Sequence, residues 1–418
     1  MKSLILIILL IPIGLAAQDE AFIYGKISTK DGTTYEGPIR WGKEEVYWTD
    51  LFNASKEENE NLRHLSNAER DKLDEQQAWA GGGDRYSFST FIRSVGLSTE
   101  RYVFHSESSY VHQFGCQFGE IRTIHPEGKR YISVELQNGD RFTLDGEGYN
   151  DIGATVYVID KTMGEVAIEW NRIERIGFMP TPHKLTDKFG EPLYGTVETY
   201  DGTYSGYIQW DHDERISTDK LDGDAEDGKM SIPFAKIRSI ERRAGHSFVV
   251  LQSGREVEMR GSNDVSHGNR GVIIMNKDIP SVDVPWDEFK KVTFSDNASQ
   301  ALMRYEDFKT QKPLQAKVTL HDGKTLSGKI IYDLDESSTY DLLQGKLNDI
   351  KFAVPFRNIR NLTVKTTSHC DIELTSGKRL TLWEEQDVSN LNQGLLISTT
   401  ASESKYIPWS EVESIDFQ

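Results

Sequence analysis

The sequence predicts an all-β protein, a tandem array of about six small five-stranded barrels in three double modules, with one helical insertion in the first. The segment DGTTYEGPIRW at 31–41 recurs in altered form as DGTYSGYIQWD from Asp201 and DGKTLSGKIIYD from Asp322. Apolar and polar residues alternate beside these turns, which places every second side chain on one face of a strand. Aspartate-glycine pairs between such runs indicate hairpins, because glycine adopts the positive φ of tight turns.

The N-terminal element is a predicted signal peptide over residues 1–17. Lys2 precedes an apolar run at 4–15 and two alanines, which is the order of a secretory signal. The run is too short to span a bilayer, and no later run approaches about 18 apolar residues. We therefore expect a secreted or periplasmic protein of the bacterial envelope without a transmembrane segment after cleavage.

The composition limits the classes of partner. The 418 residues include 48 Lys and Arg against 66 Asp and Glu, a formal net charge of −18, and such a surface repels phosphate backbones. We therefore expect no nucleic-acid partner. The two cysteines, Cys116 and Cys370, are too few for the disulfide framework that export would permit. We expect both thiols to be unpaired in packed cores.

Two kinds of half-unit alternate along the chain. The first kind has two extended segments around a turn and closes on a motif such as IPFAKIRSI at 232–240. The second kind ends in a motif such as VPWDEFKKVTF from Val284. One half-unit of each kind makes a double module, and the three double modules are predicted at 22–178, 193–295 and 313–417. Five short antiparallel strands in each half-unit protect their edges best by curling into a barrel.

The closing motif predicts a strand, one helical turn and a last strand, because its first apolar pair is three residues apart and its last pair is two apart. This arrangement resembles the SH3-like barrels. The segment GYIQWDHDERIS is also similar to the Sm-like subset of these folds, in which a glycine, an aliphatic residue and an aromatic-aspartate pair follow one another. The matching positions are Gly206, Ile208, Trp210 and Asp211, and Gly328, Ile330, Tyr332 and Asp333. The first module departs from the pattern, with Gly42 after Trp41.

The resemblance implies a fold rather than an activity. Sm-like proteins imply RNA binding, and secreted SH3-like domains imply contacts with peptides or cell-wall glycans. Only the second implication fits a secreted acidic chain.

One segment, at 54–113, has no counterpart in the other modules. Its stretch SNAERDKLDEQQAW at 66–79 predicts a polar helix, with a capping residue, an early glutamate and a stop at three glycines. The insertion is either a lid or docking arm, or a decoration of the kind that loops tolerate.

A polar pair recurs in the loop after the second strand of each second half-unit. The three pairs are Asn150 and Asp151, Asn263 and Asp264, and Gln386 and Asp387. Such side chains satisfy backbone groups in turns, and each barrel needs one turn, whereas a catalytic pair needs no third copy. We interpret the pairs as structural, with ligand contact as the alternative.

The tryptophans divide into repeated and single-copy positions. Those at repeated positions, such as Trp170, Trp286 and Trp409, are predicted to lie in the core, because a buried ring contributes much of the stability of a small barrel. The single-copy residues Trp48, Trp79 and Trp383 are the candidates for partner contacts.

We predict no catalytic, cofactor-binding or metal-ligating residues, since the sequence contains no metalloprotease, nucleophile-elbow or phosphate-loop motif. The acidic loop at 219–228 lacks the ligand spacing of a calcium hand. The predicted function is therefore a non-enzymatic binding or scaffold protein that contacts an envelope protein, peptide or glycan. The alternative is a secreted, glycan-directed hydrolase with carboxylates between modules and the 54–113 insertion as a lid.

Overall fold

The computed structural model describes residues 19–56, 59–80, 112–277, 279, 281–295, 298, 301–400 and 403–418. The predicted signal peptide and residues 81–111 of the insertion lie outside this part of the chain. The described residues form thirty β-strands and one α-helix, α1 (Asn67–Ala80), so the predicted all-β class is confirmed. Helix α1 coincides, to within one residue at each end, with the stretch 66–79 for which the sequence predicts a polar helix.

The strands fall into three sets of ten, here called modules 1, 2 and 3. Module 1 contains β1 (Tyr24–Thr29), β2 (Thr34–Trp41), β3 (Leu51–Lys56), β4 (His112–Gln117), β5 (Ile121–Glu127), β6 (Tyr131–Leu136), β7 (Arg141–Asp145), β8 (Val156–Asp160), β9 (Gly164–Ile168) and β10 (Ile173–Phe178). Module 2 contains β11 (Tyr194–Thr199), β12 (Thr203–Trp210), β13 (Lys220–Ala225), β14 (Gly228–Pro233), β15 (Ile237–Arg243), β16 (His246–Leu251), β17 (Glu256–Met259), β18 (Val272–Met275), β19 (Ser281–Val284) and β20 (Phe289–Phe294). Module 3 contains β21 (Gln315–Leu320), β22 (Thr325–Tyr332), β23 (Leu342–Leu347), β24 (Ile350–Pro355), β25 (Ile359–Thr366), β26 (His369–Leu374), β27 (Arg379–Trp383), β28 (Leu395–Thr400), β29 (Glu403–Ile407) and β30 (Val412–Phe417).

Each module pairs its strands in one antiparallel order, which in module 1 is β4-β3-β7-β6-β5-β10-β1-β2-β8-β9. Equivalent strands pair in module 3. They also pair in module 2, where a single bridge between Asp224 and Arg260 joins the β13–β14 hairpin to the end of β17. Strands of the two predicted half-units therefore alternate within one sheet.

This interleaving corrects the expectation of about six separate barrels. The described sheets are open, and no closed barrel is found among them. The physical reason is that each half-unit covers the edges of the other: β7 of the second half pairs with β3 of the first, and β10 lies between β1 and β5. A strand edge that is already paired does not need to curl onto its own half-unit.

The repeated aromatic residues form the centre of each module. One ring from the second strand meets one ring from the turn before the last strand, with centroids 5.7, 5.8 and 5.7 Å apart in modules 1, 2 and 3 and the planes steeply inclined. The three pairs are Trp41 with Trp170, Trp210 with Trp286, and Tyr332 with Trp409. All six rings are buried, as expected from their repetition.

The three modules contact one another pairwise. Strand β19 pairs with β24, which joins modules 2 and 3. Arg215 forms an ion pair with Asp50 across modules 1 and 2, and Arg357 forms one with Glu120 across modules 1 and 3. Leu65 and Leu73 of the insertion pack with Leu334 and Leu396, so its helix lies on module 3. No helix in the described ranges is both long and apolar enough to cross a membrane.

Candidate functional site

The carboxylate of each repeated polar pair binds the chain internally. Asp151 accepts a hydrogen bond from the backbone N–H of Asn53 at 2.6 Å, and Asp264 accepts one from Asp222 at 2.7 Å. Asp387 accepts one from Gln344 at 2.6 Å. In every module the loop before the eighth strand therefore holds the third strand in place.

The amide of each pair binds the turn after the second strand. Asn150 donates to Glu44 at 3.0 Å, Asn263 donates to Asp211, and Gln386 donates to Asp333 at 2.7 Å. The six side chains thus tie three segments of each module together. The structural role of the pairs stays a prediction, with these internal hydrogen bonds as its basis.

Several carboxyl groups lie close together around the turn after the second strand of each module. Burial, with the charge of nearby acids, raises the pKa of Glu214 to about 9. Burial also raises the pKa of Asp387 to about 8 and that of Asp151 to about 7. Sequence reasoning missed this feature, because the acids of each turn come together with the distant loop acid only in the folded module.

In module 3 the carboxylates of Asp333, Asp335 and Glu336 lie within 4.8 Å of one another. Such oxygens suit a hard cation. Both oxygens of Asp333 already accept hydrogen bonds, from Gln386 and from the backbone of Gln393, and the Lys56 ammonium donates to the Asp335 carbonyl oxygen at 3.4 Å. The hydrogen-bond donors of Gln386 and Gln393 and the Lys56 ammonium thus occupy this cluster, and we assign no metal to it.

A small cavity of about 20 Å³ lies where the three modules meet. Gln117, Tyr207 and Arg357 line it, one from each module, and none of the described residues in its lining is an aspartate or a glutamate. This volume suits about one water molecule. The cavity itself therefore offers no pair of described carboxylates for catalysis.

The three candidate tryptophans differ in position. Trp48 is fully buried, its indole Nε1 donates to Thr181 Oγ1 at 3.0 Å, and its ring lies 4.5 Å from that of Tyr305. The prediction of a surface contact is therefore wrong for Trp48, because its contacts with Thr181 and Tyr305 place the ring in the core. Trp79 belongs to α1, but its side chain lies outside the description.

Trp383 remains as the exposed candidate. It ends β27, and 38% of its surface is exposed. Its ring stacks on that of His369, with centroids 3.8 Å apart and planes at 25°. Thr366 Oγ1 lies 2.7 Å from His369 Nδ1 and holds the imidazole, so one indole face is covered by a fixed ring. The sequence had no signal for this stack, because the two residues meet only across the β26–β27 ladder.

The fold does not require an aromatic residue at this position. Trp383 pairs with His369 and Lys346, and the equivalent pairings place Asp145 in module 1 and Arg260 in module 2. The rim of the platform is charged, because Lys346 pairs with Glu385 at 3.0 Å and with the exposed Glu384 at 3.8 Å. We call Trp383 and His369 the aromatic platform.

Comparison with protein-family models, with curated proteins and with solved structures gives no match for this chain. Fold and geometry therefore define its class by themselves: an all-β protein of open antiparallel sheets.

Proposed function

We propose that this protein is a non-enzymatic binding or scaffold protein, secreted or periplasmic, that contacts an envelope protein, peptide or glycan through the aromatic platform. One observation carries the proposal: Trp383 is exposed at a position that Asp145 and Arg260 hold in the other modules. An exposed aromatic residue that the fold does not need is a candidate for binding.

The geometry of the platform suits a flat apolar ligand surface. The stack on His369 restricts the indole before binding, so less rotational freedom is lost when a partner covers it. The remaining indole surface offers apolar contact, and the charged rim offers hydrogen bonds to hydroxyl or amide groups. Sugar rings and peptide side chains both present this combination of groups.

The test compares Trp383→Ala with a matched exposed aromatic, Tyr200→Ala, on glycan and peptide arrays. Tyr200 is 62% exposed and lies under the ammonium of Lys290, outside the stack of Trp383 on His369. Because an interface tryptophan is often a hot spot worth about 2 kcal/mol or more, we expect at least about a tenfold loss of affinity for W383A and none for Y200A. Equal binding by W383A and the unmodified protein would contradict the proposal.

Export is part of the proposal, and it rests on the signal-like residues 1–17. N-terminal sequencing of the protein from the periplasm or medium should find a first residue of Ala17 or Gln18. An intact Met1 on protein confined to the cytoplasm would contradict export.

The alternative function is a secreted glycan-directed hydrolase, and one observation favours it. Glu44 of module 1 lies beside Asp213 of module 2, and burial with the nearby Asp151 and Asp213 charges raises the Glu44 pKa to about 8. Shifted carboxyl groups between modules are typical of acid catalysts as well as of buried structural pairs. Release of reducing sugar from cell-wall glycan that Glu44→Gln abolishes would establish the hydrolase.

A further inference from the structure

We propose that copies of this chain associate by pairing strand β9 of one copy with strand β14 of another, in the manner in which β19 and β24 pair within the chain. The internal contact supplies the pattern. Ser281, Val282 and Asp283 of β19 lie opposite Ala353, Phe352 and Lys351 of β24. Val282 is 0% and Phe352 is 2% exposed, so the junction is well packed.

Strand β9 of module 1 is equivalent to β19, and strand β14 of module 2 is equivalent to β24. In β9, Val166 takes the place of Val282, because Val158 lies opposite Val166 as Ile274 lies opposite Val282. In β14, Met230 takes the place of Phe352, since each lies opposite a glycine of the preceding strand. The register of the internal contact thus places Val166 opposite Met230.

Both strands have exposed edges among the described residues. Gly164, Glu165 and Ala167 are exposed in β9, and the corresponding part of β14 is exposed apart from a half-buried Met230. A Cβ built at Gly164 or at Gly228 would meet no atom within 4 Å. Unpaired edges of this kind are templates for another strand.

The remaining edges are closed by their own side chains. In β29, Lys405 occupies the place of Val282, and a lysine there disfavours pairing with another strand. In β4, Phe114 occupies the place of Phe352 but is 1% exposed, and the neighbouring Gln113 accepts a hydrogen bond from Gln344 of module 3. These differences select β9 and β14 as the complementary pair.

A second contact accompanies the strand pairing. Within the chain, the Tyr204 ring packs on that of Phe352 with centroids 6.2 Å apart. Tyr35 holds the equivalent place in module 1, opposite Ile27, and is only partly buried. In the assembly Tyr35 would contact Met230, a favourable sulfur–aromatic combination. Because β9 and β14 are different surfaces, each added copy leaves one of each free, and the assembly grows as an open chain or closes as a ring.

The first experiment measures mass by light scattering after size exclusion. We expect oligomers that increase with protein concentration and with salt, because each copy carries a formal charge of −18 and Glu226 would approach Asp31 at the rim. Val166→Lys copies the residue that β29 already carries, so it should fold and remain a monomer. A monomeric unmodified protein under all these conditions, or V166K oligomers equal to those of the unmodified protein, would overturn the proposal.

The second experiment tests the register. The double variant V166C/M230C should form disulfide-linked oligomers on mild oxidation, while K405C/M230C should form no disulfide link between copies. The native thiols do not compete, because Cys116 and Cys370 are buried. Thermal unfolding of each variant verifies folding. A linkage confined to single chains in V166C/M230C, or equal linkage in both double variants, would show that β9 and β14 do not pair between copies.

Discussion

Replacement of Arg215 by methionine should weaken the contact between modules 1 and 2. The guanidinium is fully buried, and its Nη2 lies 2.9 Å from Asp50 Oδ1. Its Nη1 donates to the Ile208 carbonyl at 2.9 Å, and the group lies 4.9 Å from the centre of the Tyr47 ring. Methionine preserves much of the packing but removes the charge.

The expected loss in free energy of unfolding follows from the buried Asp50 carboxylate, which R215M leaves without its cation. Asp50 is 2% exposed and keeps two backbone donors, from Val46 and Tyr47, but it loses its only described cationic partner. Removing one member of a buried ion pair typically costs about 3–5 kcal/mol. We expect R215M to lower the free energy of unfolding by about 3–5 kcal/mol. A double-mutant cycle of R215M with Asp50→Asn should give a coupling energy of about 0.5–3 kcal/mol.

Urea titration followed by tryptophan fluorescence measures the loss. Arg242→Met is the matched control, because Arg242 pairs with Asp287 at 2.8 Å at the surface, where the Asp287 side chain is 89% exposed. We expect the control to cost about 0–1 kcal/mol. A loss for R215M no larger than that for R242M would refute the assignment of the buried pair as the connection between the modules.

Three further predictions concern the acids and glycines. Burial raises the pKa of Glu214 to about 9 and that of Asp387 to about 8, so the folded chain keeps protons that the unfolded chain releases near pH 4. Tm should therefore fall as the pH rises from about 4 to 9. A Tm that rises over this range would contradict the prediction. Asp387→Ala removes the acceptor of the Gln344 N–H and should cost about 1–3 kcal/mol by urea titration, whereas Asp387→Asn should cost less. Gly37→Ala places a Cβ 1.9 Å from the Ile159 carbonyl oxygen and should lower stability by about 1–3 kcal/mol or more; an unchanged Tm would show that β2 and β8 separate easily.

Local features of the fold could be predicted from the sequence because they depend on neighbouring residues. The Asp-Gly turns are an instance: Gly32 and Gly323 have φ of 84° and 81°. Gly202 does not have a positive φ, and its N–H is bound instead by the Thr199 hydroxyl at 3.0 Å. A side-chain acceptor two or three residues away thus changes the turn without changing the hairpin.

The non-local features could not be predicted. The glycine turn in VELQNGDRFTL, from Val134, predicts a hairpin of β6 and β7, but nothing in it shows that β7 pairs with β3 or that β10 pairs with β5. The candidate site shows the same limit, since a single-copy tryptophan indicated a surface role for both Trp48 and Trp383. Only the tertiary neighbours, Tyr305 for one and His369 for the other, separate a core ring from an exposed one.

The pairing of β1 with β10 sets the order of events during synthesis. Gly25 lies opposite Phe178, so one edge of β1 stays unpaired until β10, the last strand of module 1, has been synthesised. Until then a nascent chain exposes strand edges that can pair wrongly, and contacts so distant along the chain form slowly. A nascent chain that stops just before residue 173 therefore lacks β10, leaves one edge of β1 unpaired and is expected to aggregate.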